Sequence, residues 1–229
     1  GGRTIKCWRY PRTHGTQTFA EGVRNSCNPV FMAVAERIGA DTFYDYMIKF
    51  GFAEKTGIDL NGEAVGILHK KEDIGPVELA TMSFGQTFQI TPIQLLRAAA
   101  AVVNGGKLIT PHFAIKTVDD NGFTVNTFEW PEGEQVISEE TSAKMREILE
   151  SVVAEGTGNK AQVEGYRIGG KTATSQKLPR GSGKYIASFM AFAPADDPQV
   201  MALVLIDEPE GVYYGGTVAG PVMRDLLTN

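Results

Sequence analysis

Apolar residues recur at three- and four-residue spacing through much of positions 1–160, and thereafter at two-residue spacing or in short unbroken runs. Val30, Val34 and Ile38 share one helical face; Asn28 reads as its N-cap with Pro29 at the first helical position, and Gly39 closes it. Upstream, Thr18 with Glu21 spells a capping box and predicts another helix start. A helix following Asp41 and stopping at Gly51 is expected next. Thr91-Pro92-Ile93-Gln94 repeats the start signal ahead of an Ala- and Leu-rich run through Val103, which Asn104-Gly105-Gly106 terminates, and this run reads as a buried helix. A further helix is expected from Ser138 to Glu155, with Met145, Leu149 and Val152 on one face.

Two kinds of strand signal follow. His112 to Val118 and Phe123 to Phe128 alternate apolar with polar around Asn121-Gly122, which predicts a hairpin. Tyr166 to Gln176, Tyr185 to Ala193 and Val200 to Asp207 are strand-like, separated by Pro179-Arg180-Gly181 and Asp196-Asp197-Pro198. Such short connections make neighbours antiparallel. Helices in bulk followed by strands in bulk predict an α+β fold: a mainly helical part over 1–160 with a hairpin near 112–128, then sheet strands over 161–229 and a helix start at Gly220-Pro221.

With 229 residues, 42% hydrophobic and 21% charged, the chain is long enough to bury one core and is neither fibrous nor disordered. A formal charge of -5, with no basic run longer than Lys70-Lys71, argues against nucleic acid or an anionic membrane surface as partner. The longest apolar stretch, Leu95 to Val103, is interrupted by Arg97 and is too short to span a bilayer. Cys7 and Cys27 allow at most one bridge, and with His14, His69 and His112 scattered along the chain they spell no zinc framework, so no metal or cofactor is expected. The abrupt ends, Gly1-Gly2-Arg3 and Leu227-Thr228-Asn229, read as those of a cut piece.

Two motifs compete for Lys171. Gly165 to Thr172 matches a phosphate loop literally, and Val204-Leu205-Ile206-Asp207 resembles the metal-binding strand that accompanies one. Such a loop needs a helix after it, yet Pro179 and Gly181 arrive too soon, and the residues left are too few for a parallel nucleotide-binding sheet. The alternative takes Lys171-Thr172-Ala173-Thr174 as the active-site strand of a serine acyl-transferase. Small residues at Gly169, Gly170 and Ala173 would leave its flank open to an extended peptide, and Thr172 and Thr174, two apart, would turn their hydroxyls to one face to bind a carboxylate. A plain strand whose threonines suit a pleated surface fits these residues equally well. Lys55-Thr56-Gly57, in a polar loop-like setting, reads as a chance tripeptide.

Ser26-Cys27-Asn28, placed ahead of Lys171-Thr172-Ala173, supplies two parts of the S-x-x-K, S-x-N, K-T-G set of penicillin-interacting enzymes. Gly22 to Phe31, Ser83-Phe84-Gly85-Gln86 leading to Thr91-Pro92-Ile93-Gln94, Ala187 to Ala195 and Tyr213 to Ala219 extend the match across the chain. In these segments the chain resembles the transpeptidase domain of class B penicillin-binding proteins, of the sporulation or cell-division type. The resemblance implies the penicillin-binding protein/β-lactamase-like fold, an antiparallel sheet flanked by helices plus a helical subdomain, here incomplete at the N-terminal side. It implies a D,D-transpeptidase that joins peptidoglycan stem peptides ending in D-Ala-D-Ala through a serine acyl-enzyme, is acylated by β-lactams and works at the extracytoplasmic face of a bacterial membrane, through an anchor outside this chain. Division or sporulation proteins would be further partners.

By the same resemblance, Ser26 would relay protons beside the catalytic lysine and Asn28 would hold a substrate amide. Lys171 would supply positive charge, Thr172 and Thr174 would bind the terminal carboxylate, and the Thr174 amide would form half the oxyanion hole. Gln86, with Ser83 nearby, would lie in the cleft wall, whereas Tyr213 and Tyr214 read as packing or rim residues. Two departures stand out. Ala173 replaces the usual glycine, and its methyl would crowd a pairing ligand or press on the neighbouring helix, with affinity for substrate and β-lactam affected. Moreover, none of the eight serines, at 26, 83, 138, 142, 151, 175, 182 and 188, is followed by lysine at the third position, so the nucleophile and its base are absent. In the family they precede the S-x-N element, before Gly1 in this numbering, and the chain alone is expected to be inactive. Thr141-Ser142-Ala143-Lys144 and Thr174-Ser175-Gln176-Lys177 do not replace them, since the first opens a helix and the second is the strand itself. A penicillin-recognising sensor, or a scaffold of the sporulation or division machinery without turnover, is the alternative function.

Overall fold

The computed structural model describes residues 4–179 and 181–228. Arg180 of the expected Pro179-Arg180-Gly181 turn, and the terminal Gly1, Gly2, Arg3 and Asn229, lie outside the described residues.

Helix α1, Phe19–Arg24, starts on the Thr18 capping box, with the Glu21 N–H on the Thr18 hydroxyl and the Thr18 N–H on the Glu21 carboxylate. Helix α2, Asn28–Ile38, begins one residue earlier than its sequence suggests: Cys27 is the N-cap, Asn28 and Pro29 lie in the first turn, and no side chain caps the start. Gly39, at φ +82, both ends α2 and opens α3, Ala40–Lys49, so Asp41 falls inside the first turn of α3, where its carboxylate suits the positive helix end. Helix α4, Pro76–Met82, was not anticipated; its signal was Pro76 with Glu78, whose carboxylate accepts the Gly75 N–H. Helix α5, Pro92–Val103, follows the Thr91 box as expected.

Short strands come next. β1 (Lys107–Leu108) pairs with β4 (Glu134–Gln135), and between them β2 (Lys116–Val118) and β3 (Thr124–Thr127) form the hairpin around Gly122, at φ +84. This hairpin is shorter than the alternation implied: all of its strand residues are exposed, and the Phe113 and Ala114 N–H groups donate to the Asp59 carboxylate instead of to a partner strand. Helix α6, Glu139–Ala154, is capped by the Ser138 hydroxyl.

The sheet that follows carries the site. β5 (Gly169–Gln176), β6 (Tyr185–Ala193) and β7 (Val200–Asp207) run antiparallel in the order β5-β6-β7. β5 starts three residues later than expected because a turn, Tyr166 N–H to Val163 carbonyl, precedes it. Helix α7, Gly215–Thr228, starts well before Gly220 and carries Pro221 inside it. The proline removes one helical donor, yet the helix continues because fully buried Ala219 and Met223 hold it against the sheet. Phe189 and Ala191 meet these α7 residues on one face; Phe192 on the other packs with Val23, Val103, Leu149 and Val152 from α1, α5 and α6. The sheet is thus held between α7 and a helical layer, and α1 is drawn to its edge together with the link that follows it.

Candidate functional site

The link between α1 and α2 is three residues long and contains Ser26 at φ +50, a left-handed conformation that costs a non-glycine residue about 1–2 kcal/mol. The surroundings impose it: the Ser26 N–H donates to the Val23 carbonyl at 3.0 Å and the Cys27 N–H to the Gly22 carbonyl at 2.9 Å, closing the chain over the end of α1. The Ser26 hydroxyl thereby meets β5. Lys171 Nζ donates to Ser26 Oγ at 2.7 Å, joining residues 145 positions apart, and donates also to the Thr172 carbonyl at 3.0 Å. Burial lowers the Lys171 pKa from the ordinary 10.5 to about 8, so the group stays mostly cationic at neutral pH.

Thr172 and Thr174 share a face, as their spacing requires, but each already has a partner. Thr172 Oγ1 lies 3.1 Å from Thr157 Oγ1, and Thr174 Oγ1 accepts the N–H of Gly215, the first residue of α7, at 3.0 Å. A hydroxyl that accepts one bond still has its proton to donate. The glycines ahead of them do not open the flank of the strand. A Cβ at Gly169 would strike the Phe192 ring and one at Gly170 the Phe189 ring, so these positions serve the core. What makes β5 accessible is its place at the edge of the sheet, with Ala173, Thr174 and Ser175 exposed. Ala173 faces tight quarters on its backbone side, because a Cβ at Gly215 would strike the Ala173 and Ser188 carbonyls.

Asn28 is half-buried in the first turn of α2, directly after the Ser26 link. Ser83 and Gln86 lie at the C-terminal end of α4, a helix that packs on α2. The Ser83 hydroxyl donates to the Ala80 carbonyl at 2.7 Å, and the Gln86 N–H to the Thr81 carbonyl at 3.0 Å. The fold therefore joins Ser26 to Lys171 directly, with Thr172 and Thr174 further along the same strand and Asn28 adjoining Ser26 along the chain. Tyr213 packs, as expected, stacking on Tyr185 at 3.9 Å between centroids, while Tyr214 is half-exposed beside it.

Both decoys resolve structurally. Lys171 is the third residue of an eight-residue strand in an antiparallel sheet, where no helix N-terminus follows to hold phosphates. Lys55-Thr56-Gly57 does bind a carboxylate, but one of the protein's own: the Thr56 N–H and hydroxyl donate to Glu63 Oε1 at 2.6 Å and the Gly57 N–H to Oε2 at 3.2 Å, which lowers the Glu63 pKa.

Sequence reasoning missed Thr157 and Gly215 as partners of the two threonines, because neither is near them in the chain. It also missed a constellation of possible metal ligands. Chain order scatters the histidines, yet the fold brings His14 to Cys7 and Cys27, with all three ligand atoms within 4.8 Å. Among the described residues no helix is long and apolar enough to cross a membrane.

Comparison with known proteins converges on one family. A model described as the penicillin binding protein transpeptidase domain matches residues 1–228. Stage V sporulation protein D of Bacillus subtilis is 49% identical over 99% of this chain and 36% of its own length. A probable peptidoglycan D,D-transpeptidase, PenA of Neisseria meningitidis, is 34% identical over 90% of this chain and 34% of its length. Among solved structures, the transpeptidase domain of penicillin-binding protein 3 from Burkholderia pseudomallei superposes with a TM-score of 0.82 at 31% identity, over 95% of this chain and 65% of that one. Penicillin-binding protein 3 of Mycobacterium tuberculosis, complexed with aztreonam, gives 0.83 at 26% identity over 92% and 50%. The chain spans about a third of the length of these two curated relatives.

Proposed function

The chain belongs to the penicillin-binding protein transpeptidase family, and from that premise we propose that it supplies the S-x-N and K-T parts of a serine acyl-transfer site in a longer peptidoglycan D,D-transpeptidase. The observation that carries this reading is the 2.7 Å bond from Lys171 Nζ to Ser26 Oγ, which assembles two motifs 145 residues apart in one place. The nucleophilic serine and its lysine are not among these residues, so the 229-residue chain performs no acylation by itself.

The division of labour we propose takes its roles from the family resemblance, and the geometry supports it. Ser26 Oγ accepts from the Lys171 ammonium, so its own proton is directed elsewhere, and the hydroxyl can pass that proton to a leaving amine while taking another from a neighbouring base. Lys171 stays largely charged at neutral pH and draws the terminal carboxylate of a stem peptide, or of a β-lactam, toward β5. Thr174, exposed at the sheet edge with a proton to donate, receives that carboxylate, and Thr172 supports it from the same face. The edge position of β5 lets an extended substrate add as a further strand. Asn28 orients a substrate amide from the first turn of α2, Gln86 lines the cleft wall, and the parent acts at the extracytoplasmic face of a bacterial membrane.

A donor peptide ending in D-alanyl-D-alanine tests this. The intact protein should crosslink it, and Ser26→Ala should lower the rate by about 100-fold or more, the range for loss of a positioned proton relay. Penicillin acylation without any crosslinking would instead support a sensor.

A further inference from the structure

The acyl-transfer reading assigns no role to the side chains of Cys7, His14 and Cys27, and the fold assembles them from two separate segments. Residues Cys7 to Arg12 turn back on themselves, with the Tyr10 N–H on the Cys7 carbonyl and the Arg12 N–H on the Arg9 carbonyl, both at 3.0 Å, which returns His14 to Cys7. Side chains pin this segment to the α1–α2 link: Trp8 Nε1 donates to the Asn25 carbonyl at 3.0 Å, and Asn25 Nδ2 to Gln17 Oε1 at 2.8 Å. Cys27, buried, is the N-cap of α2 and stands between Ser26 and Asn28.

Two of the three separations are close to those of a coordination sphere, and the third, His14 to Cys27, lies within 4.8 Å. Cys7 Sγ is 4.0 Å from Cys27 Sγ and 3.3 Å from His14 Nδ1. Bonds of about 2.3 Å to sulfur and 2.0–2.1 Å to nitrogen at tetrahedral angles place two zinc-bound thiolates about 3.8 Å apart and a thiolate and imidazole nitrogen about 3.6 Å apart. Two thiolates neutralise a divalent cation, and the imidazole binds in its neutral form. The same three residues line an open cavity of about 490 Å³, with Arg12, Gln17 and Arg37 at its wall, which gives a fourth ligand access.

We propose that Cys7, His14 and Cys27 form a site for a thiophilic divalent cation, Zn²⁺ foremost, with the fourth coordination position open to this cavity. Binding replaces two S–H bonds by two metal–sulfur bonds and releases both protons to solvent. The metal ties residues 7–14 to the N-cap of α2 and so holds the Ser26-Cys27-Asn28 turn in the conformation that meets Lys171. These three residues act by positioning; that role rests on the acyl-transfer reading, whereas metal binding itself is independent of it.

Cobalt(II) titration of the intact protein, kept reduced by a thiol-free phosphine, reads the site directly. The expected result is tetrahedral d–d bands with thiolate charge-transfer absorption, saturating at one equivalent and erased by zinc. His14→Ala, Cys7→Ser and Cys27→Ser should each weaken binding by more than about 100-fold, beyond the loss that an outer-sphere partner causes. Zinc should raise the melting temperature of the parent protein and not that of the variants; His14→Ala leaves the buried cysteine in place and serves should Cys27→Ser not fold. Bands that persist in His14→Ala would overturn the proposal. So would a reduced protein that shows no tetrahedral bands and whose two thiols only oxidise to a bridge.

Discussion

At the residue scale the account rests on Lys171. Its ammonium is held by Ser26 Oγ and the Thr172 carbonyl with no carboxylate facing it among the described residues, and burial lowers its pKa to about 8. The folded pKa thus lies below the unfolded one, so the unfolded chain binds the proton more tightly. The resulting penalty is fully present below pH 8 and fades as pH rises toward the ordinary 10.5. Lys171→Met should therefore match or exceed the parent in stability at pH 7 by about 1–2 kcal/mol, as when a poorly compensated buried charge gives way to an apolar side chain. Urea unfolding at a series of pH values should show this advantage shrinking between pH 8 and 10.5. An advantage that grows with pH would mean that the charge is stabilised in the fold.

At the element scale the critical contact is between the first turn of α7 and β5. Gly215 donates its N–H to Thr174 and leaves no space for a Cβ between the Ala173 and Ser188 carbonyls. Gly215→Ala should cost about 2–3 kcal/mol by overpacking against backbone that cannot rotate away. It should also pull the Thr174 hydroxyl off its partner, readable as weaker binding of a carboxylate-bearing β-lactam by the intact protein. Wild-type stability in this variant would contradict the packing described. Elements whose signals are local were legible in the sequence: the Thr18 and Thr91 capping boxes, the helix beginning at Ser138, whose hydroxyl proves to be the cap, and strands β6 and β7 all stand where their residues place them. Elements set by tertiary contact were not. The early start of α7 depends on Gly215 and Gly216 nesting against β5 and the Thr157 carbonyl, and the glycines of β5, taken for an open flank, make room for Phe189 and Phe192.

At the scale of the whole molecule, the α+β class and the antiparallel sheet followed from helical periodicity giving way to strand periodicity near residue 165. The pairing of Ser26 with Lys171 was legible only through the order of two motifs, since no local signal spans 145 residues. The cysteine and histidine cluster had no linear signature at all, because its ligands meet through a turn at Cys7 to Arg12 and the N-cap of α2. The sheet presents two outer edges among the described residues. β5 is the edge assigned here to substrate, and β7 is the other, with Leu205 exposed and Met201 and Leu203 half-buried along it. Acylation of the intact protein by a labelled penicillin, followed by mapping of the labelled peptide, tests the proposed function most directly. The label should sit on a serine outside these 229 residues, in a Ser-x-x-Lys sequence. A labelled peptide containing any of the eight serines of this chain would contradict it.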